Sequence, residues 1–193
     1  MQLEFERLIR DFNNIQLRID WTAELDFDIT LQPVFDLRNI YLVSFNKIAV
    51  YNKNDMTSVW IKQFDNDIES ISLLDGNNIM LIDIRGLVHV INRNNGDLNW
   101  RYNLDVNNYF SSFDIGAPRP IQITYNEDKR LITSIVFITV NNEINILCSI
   151  TGEVFYRLIL DDFIYFISDY DQMTNSVYVS YGNNIAKIIL DKR

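Results

Sequence analysis

Cysteine and histidine are almost absent from this chain, each occurring once, as Cys148 and His89. One cysteine excludes an internal disulfide framework and any zinc site built on cysteines, and it fits a reducing compartment. One histidine excludes multi-histidine metal sites. A Ser-His-Asp or Cys-His mechanism would have to use His89, and no Gly-x-Ser-x-Gly elbow is present to go with it. The six glycines form neither Gly-x-Gly-x-x-Gly nor Gly-x-x-x-x-Gly-Lys-[Ser/Thr], so no nucleotide site is expected. Positive charge is also scarce. With 17 Lys and Arg against 26 Asp and Glu, the net charge of −9 opposes nucleic-acid binding. The basic pair Lys129-Arg130 follows Glu127-Asp128 and reads as a solvated turn. No apolar run approaches the roughly 20 residues that span a bilayer. The start, MQLEFERLIRDF, lacks the basic and apolar regions of a signal peptide. A cytoplasmic protein, or one held within a viral particle, is expected, without membrane insertion.

What the chain does contain is a core and a repeat. At 193 residues, 48% hydrophobic and 13% aromatic, it is sized for one compact domain. The phrase aromatic-x-x-x-[Leu/Phe]-Asp occurs four times, from Trp21 to Asp26, Trp60 to Asp65, Trp100 to Asp105 and Tyr156 to Asp161. Spacings of 39, 40 and 56 residues between the aromatics approximate a four-stranded blade, one of them enlarged. In the second unit, strands are expected at Ile68–Leu74, Ile79–Ile84 and Leu87–Ile91, and a fourth carries Trp100. Asn95-Gly96 predicts a type I′ turn, with two residues at positive φ. The other units follow suit, with strands at 39–45, 47–51 and 57–64, at 131–140, 143–148 and 154–160, and at 163–168, 176–181 and 184–190.

The Gly-x-x-x-Trp phrase at Gly96–Trp100, echoed by Gly152–Tyr156, resembles the blade ending of PQQ-like and WD40-like β-propeller repeats. The resemblance covers the chain from about residue 15. It implies an all-β propeller of about four antiparallel blades over 15–193, preceded by an N-terminal arm at 1–14. In that arm Phe5, Leu8, Ile9 and Phe12 suit a short amphipathic helix, while Leu3-Glu4-Phe5 suits an extra strand. The last unit has no aromatic closing strand, so the Trp21 strand, 15–25, is expected to complete the last blade beside 184–190. Two alternatives stay open: half of an eight-bladed ring completed by a second copy, or an open edge docked on another partner.

His89 alternates between Leu87 and Ile91 and reads as a packed, hydrogen-bonded residue, and Cys148 reads as core. Trp21, Asp26, Trp60, Asp65, Trp100, Asp105, Tyr156 and Asp161 are assigned to the architecture of the repeat. The carboxylate pairs Asp26/Asp28, Asp65/Asp67 and Asp161/Asp162 are oxygen donors that suit Ca²⁺, or else acceptors for backbone amides at the strand exits. Where several meet, they favour a cation or a basic partner. The insertion 107–120 is a loop whose Tyr109, Phe110, Phe113, Pro118 and Arg119 form a candidate contact site, or whose aromatics cover their own blade. Quinoprotein dehydrogenases with such repeats carry vicinal cysteines at the cofactor site, so no cofactor is expected here. The expectation is a non-enzymatic scaffold that binds protein partners or self-assembles. A structural part of a virus or phage particle, and a small-ligand, glycan or Ca²⁺ binder, are the alternatives.

Overall fold

A computed structural model describes residue 19 and residues 22–74, 77–104, 121–127, 130–171 and 173–190, without the side chains of 121–134. The four expected units are four antiparallel sheets, and no helix occurs among the described residues. Blade 1 holds β1 (Val34–Phe35), β2 (Asn39–Ser44), β3 (Lys47–Asn52) and β4 (Ser58–Gln63). Blade 2 holds β5 (Ile68–Leu74), β6 (Asn78–Asp83), β7 (Leu87–Asn92) and β8 (Leu98–Asn103). Blade 3 holds β9 (Ile121–Glu127), β10 (Arg130–Val140), β11 (Glu143–Cys148) and β12 (Val154–Ile159). Blade 4 holds β13 (Ile164–Ile167), β14 (Ser176–Tyr181) and β15 (Asn184–Ile189). Each is a meander in which consecutive strands pair.

Branched and aromatic residues form these strands because they pack well on a pleated surface. All six residues of β6 are buried, since the sheet is covered on both faces. Ile79 and Leu81 enter a core with Tyr41, Val43, Ile48 and Val50 of blade 1. Met80 and Ile82 enter another with Val136, Ile138 and Leu147 of blade 3. A third core joins Phe137, Ile144 and Ile146 of blade 3 to Val177 and Val179 of blade 4. Each fully buried aliphatic side chain contributes about 1.5–3 kcal/mol, so these seams hold the stack together. Across the seams β5 lies against β1 and β2, and β13 against β10.

The aromatic of each closing strand takes the same register: Trp60 opposite Val50, Trp100 opposite Val90, Tyr156 opposite Ile146. A register shift follows each pair at the same place, a bulge that re-aims the strand. The loop into that strand also repeats. Asn52 N–H donates to the Thr57 carbonyl at 2.9 Å and Met56 N–H to the Asn52 carbonyl at 2.8 Å. Asn92 and Asp97, with Gly96, and Cys148 and Glu153, with Gly152, make the same two bonds. Met56, Gly96 and Gly152 are left-handed, at φ of 57°, 74° and 76°. The type I′ turn expected at Asn95-Gly96 is therefore not formed. Only Gly96 is left-handed, because the loop between Asn92 and Asp97 is wider than a two-residue turn.

Met56 holds by constraint a conformation that glycine adopts freely. Met56→Gly is expected to raise the unfolding free energy by about 0.5 kcal/mol, the released strain outweighing glycine's extra unfolded-state entropy. Urea melts of the two chains measure it, and a drop in midpoint would show that the side chain's packing matters more.

Three features differ from the sequence reading. β9 opens blade 3, which was expected to begin at Leu131. Ile121, Ile123 and Tyr125 alternate as strand residues do, a signal hidden behind the proline-containing stretch before them. β1 has only two residues and follows Pro33, too little for a periodic pattern. Blade 4 shows three strands, and no described strand lies along the outer edge of β15. Of the expected 15–25 strand, Ile19 and Thr22–Leu25 are outside any strand. Its remaining residues, and the arm 1–14, fall outside the described residues.

Candidate functional site

Two of the repeated aromatics join a blade to the next, blade 1 to blade 2 and blade 2 to blade 3. Trp60 Nε1 donates to the Arg93 carbonyl of blade 2 at 2.8 Å, and Trp100 Nε1 to the Ser149 carbonyl of blade 3 at 3.1 Å. Arg93 and Ser149 each lie three residues before the left-handed glycine of their loop, and the indole rests on that glycine. A Cβ at Gly96 would meet Trp60 Cε3 at 3.0 Å, and one at Gly152 would meet Trp100 Cε3 at 2.6 Å. Glycine thus serves twice, for the positive φ and for the close approach of the ring. Trp100 is 9% exposed in its seat, whereas Tyr156, at the same register of blade 3, is 62% exposed. Trp21 and Asp105 fall outside the described residues, as do the loop residues Tyr109, Phe110, Phe113, Pro118 and Arg119.

Polar side chains cross the same seams. Arg93 Nη1 lies 3.5 Å from Asp36 Oδ2 between blades 1 and 2. Arg157 Nη2 donates to the Tyr102 hydroxyl at 3.2 Å between blades 2 and 3, and its Nε lies 2.6 Å from Glu143. Sequence reasoning missed these partners because nothing local marks pairs so far apart in the chain.

His89 is buried, and its ring meets the Phe64 ring edge-on at 5.0 Å, facing blade 1 as its alternation with Ile91 requires. The expected hydrogen bonds are not made. Nε2 stands 3.5 Å from Asp83 Oδ2, and neither ring nitrogen has a hydrogen-bond partner. The reason is local: Asp83 already accepts from the Arg85 and Leu87 N–H groups and from Asn66 Nδ2. Cys148 is buried as expected. It occupies the loop position where Asn52 and Asn92 accept from the backbone two residues on. Burial pushes the Cys148 thiol up, but hydrogen bonds from Thr151 and Ile150 outweigh that and hold it below its usual value.

Burial likewise pushes the Asp83 carboxyl up, yet the nearby His89 ring, with donation from Asn66 and the two backbone amides, holds it below the usual range. At Asp36 burial is outweighed by the Tyr41 hydroxyl, the Asn39 and Arg38 amides and the Arg93 charge. Burial, with the bond to Asp36, pushes the Tyr41 hydroxyl up to about 12. Both carboxyls bind protons more weakly when folded, so their contribution is complete above about pH 4 and is lost as pH falls through the lowered values. The chain is expected to lose stability below about pH 4. Urea melts of the parent and of Asp36→Asn/Asp83→Asn measure it, the variant showing a flatter acid limb. Identical limbs would rule out these two groups as its source.

The connectors between blades lie beside the turns joining second and third strands. Phe64 N–H donates to the Asn46 carbonyl and Ile68 N–H to that of Phe45. Leu160 N–H and Ile164 N–H do the same with Asn142 and Asn141, and Thr30 N–H with Val43. One end of the blade stack therefore carries Asp26/Asp28, Asp65/Asp67 and Asp161/Asp162, all exposed, together with exposed Phe45 and Phe163. Of the expected carboxylate-to-amide contacts, it is Asp162 that takes a following N–H, that of Phe163, at 2.8 Å. Among the described residues no three His, Cys, Asp or Glu side chains are grouped to hold a metal ion. No described helix is long and apolar enough to cross a membrane.

No protein-family model and no curated protein matches the sequence. Solved structures do. BamB from Moraxella catarrhalis overlays with a TM-score of 0.64 at 16% identity, covering 88% of this chain and 52% of that one. The WD40 domain of SCAP from fission yeast gives 0.53 at 13% identity, covering 87% and 46%. A europium-containing methanol dehydrogenase gives 0.58 at 9% identity, covering 83% and 37%. At these identities the likeness is one of fold, and the chain spans about half or less of the length of these structures. Stacked antiparallel sheets with sequential strands, interlocked in one direction, define a β-propeller. That fold is what the chain shares with BamB, the SCAP WD40 domain and the methanol dehydrogenase.

Proposed function

We propose that this propeller is a non-enzymatic interaction module whose connector end binds a basic, partly apolar segment of a partner protein. The observation that supports it most is the alignment of exposed carboxylate pairs beside Phe45 and Phe163 at one end of the stack. In a chain of net charge −9 that end attracts cations at a distance, and aromatic side chains add contact area once a partner docks. Attraction of this kind is screened within about 10 Å in ordinary salt, so binding should weaken as salt rises.

Fluorescence anisotropy with a labelled Lys- and Arg-rich peptide containing apolar residues tests this reading. Asp65→Asn/Asp67→Asn/Asp161→Asn/Asp162→Asn is expected to weaken binding about tenfold, near 1.4 kcal/mol, and to flatten its salt dependence. Unchanged affinity would reject the connector end as the site. The same oxygen donors favour a second reading, Ca²⁺ binding, which a calcium-dependent rise in Tm would support. A place in a virus or phage particle is tested by co-purification with such an assembly rather than as a free chain.

A further inference from the structure

The turns that join second to third strands are built alike in blades 1 and 3. Phe45-Asn46 lies between Ser44 and Lys47, and Asn141-Asn142 between Val140 and Glu143. Phe45 and Asn141 are both left-handed, at φ of 49° and 54°. Their carbonyls accept from the Ile68 and Ile164 amides, and the Asn46 and Asn142 carbonyls from those of Phe64 and Leu160. Asn46 and Asn142 each donate Nδ2 back, to the Phe64 and Leu160 carbonyls at 2.9 and 2.8 Å. In blade 4 the same turn position holds Gly182, at φ of 49°. Glycine and asparagine enter this region readily, whereas a bulky side chain is strained there. The fold therefore asks nothing of Phe45 that asparagine does not supply in blade 3. No core includes its ring, which is 56% exposed.

The surroundings of the ring indicate what it meets. Thr30 Oγ1 accepts from the Phe45 N–H at 2.9 Å, while Phe64 and Ile68 bond the turn from the other connector. The turn is thus held between the stretch that carries Asp26 and Asp28 and the one that carries Asp65 and Asp67. All four of these aspartates are exposed, and none makes an ion pair among the described residues. Stacking of a cation on an aromatic ring already occurs beside this turn, where Lys47 Nζ stands 4.0 Å from the centre of the Phe27 ring. Among the described residues no cation stands over Phe45.

We propose that Phe45 is the seat of an arginine in the partner's basic segment, its guanidinium stacked on the ring with its edge turned to the flanking carboxylates. This rests on the reading of the connector end as a site for such a segment. A guanidinium is planar, so it lies on an aromatic face and still offers paired N–H groups sideways to carboxylates. The compact ammonium of lysine cannot do both at once. Strain that the fold does not require is kept here at a side chain offered to solvent, which is where binding sites keep it.

Fluorescence anisotropy with two labelled peptides, alike except that the arginines of one are lysines in the other, tests the seat. The parent chain is expected to bind the arginine peptide about fivefold more tightly than the lysine peptide. Phe45→Asn is expected to weaken the arginine peptide about tenfold and bring the two peptides level. The same substitution is expected to raise Tm by about 2 °C, because asparagine relieves the left-handed phenylalanine. A residue needed by the fold would not move binding and stability in opposite directions. Affinity unchanged by Phe45→Asn overturns the seat, and the connector-end reading survives it if the four-aspartate variant still weakens binding. Equal affinity of the parent for both peptides, or a Tm lowered by the substitution, also overturns the seat. Binding of neither peptide overturns the seat and the connector-end reading together. A parent that is dimeric by light scattering and a monomeric Phe45→Asn variant would put a second copy of the chain on the ring, which overturns the seat as well.

Discussion

Trp100→Ala is expected to lower the unfolding free energy by about 4 kcal/mol, a large part of the 5–15 kcal/mol typical of a domain. The indole fills the seam between blades 2 and 3 beside Val90, Val136 and Leu147, so its removal leaves a cavity bounded by two rigid sheets. It also removes the Nε1 donor from the Ser149 carbonyl, which adds about 1 kcal/mol if that acceptor stays dry. Urea melts followed by far-UV circular dichroism measure the loss. A change below about 1 kcal/mol would mean that the seam does not depend on the indole. Trp100→Phe should recover much of the burial without the hydrogen bond and fall between the two.

Gly152→Ala is expected to cost about 3 kcal/mol although it adds a single methyl group. About 1 kcal/mol comes from a left-handed alanine, and the rest from forcing apart a methyl and a ring carbon that would sit 2.6 Å from each other. The two substitutions should not add. With Trp100 already truncated the methyl has room, and the cost of Gly152→Ala should fall to about 1 kcal/mol, the backbone share alone. A double-mutant cycle that shows full additivity would mean the glycine is needed only for its φ. Gly96→Ala against Trp60 should behave in the same way but less severely, since the approach there is 3.0 Å.

Much of the architecture was legible because a blade is a local object. The turn residues and short apolar runs of blade 2 lie within 40 residues, the three strands given bounds there match β5 to β7 within one residue, and the fourth, carrying Trp100, is β8. The aromatic phrase located the closing strands for the same reason. What it could not show is the other half of each contact. Trp60 and Gly96 belong to different blades, and nothing near either names the other. Gly96 and Gly152 were visible only as turn residues, and Met56, in the same conformation, was not visible at all because glycine is the usual sign of it. His89 was placed on the correct face by alternation, but whether its nitrogens find partners depends on Asp83, whose oxygens are claimed by three other donors. The candidate site was partly legible: the paired aspartates were noted, but their gathering at one end follows from hydrogen bonds between connectors and distant turns.

Because the Trp60 and Trp100 locks each join a blade only to the one after it, the stack behaves as a line of coupled units rather than as one indivisible core. Blades 2 and 3 have a neighbour on both sides among the described residues, while blade 4 has one. Opening should therefore be graded, and amide hydrogens of β6 and β10 should exchange with solvent far more slowly than those of β14. The order in which the blades let go would be written in that gradient, from the loose end inward.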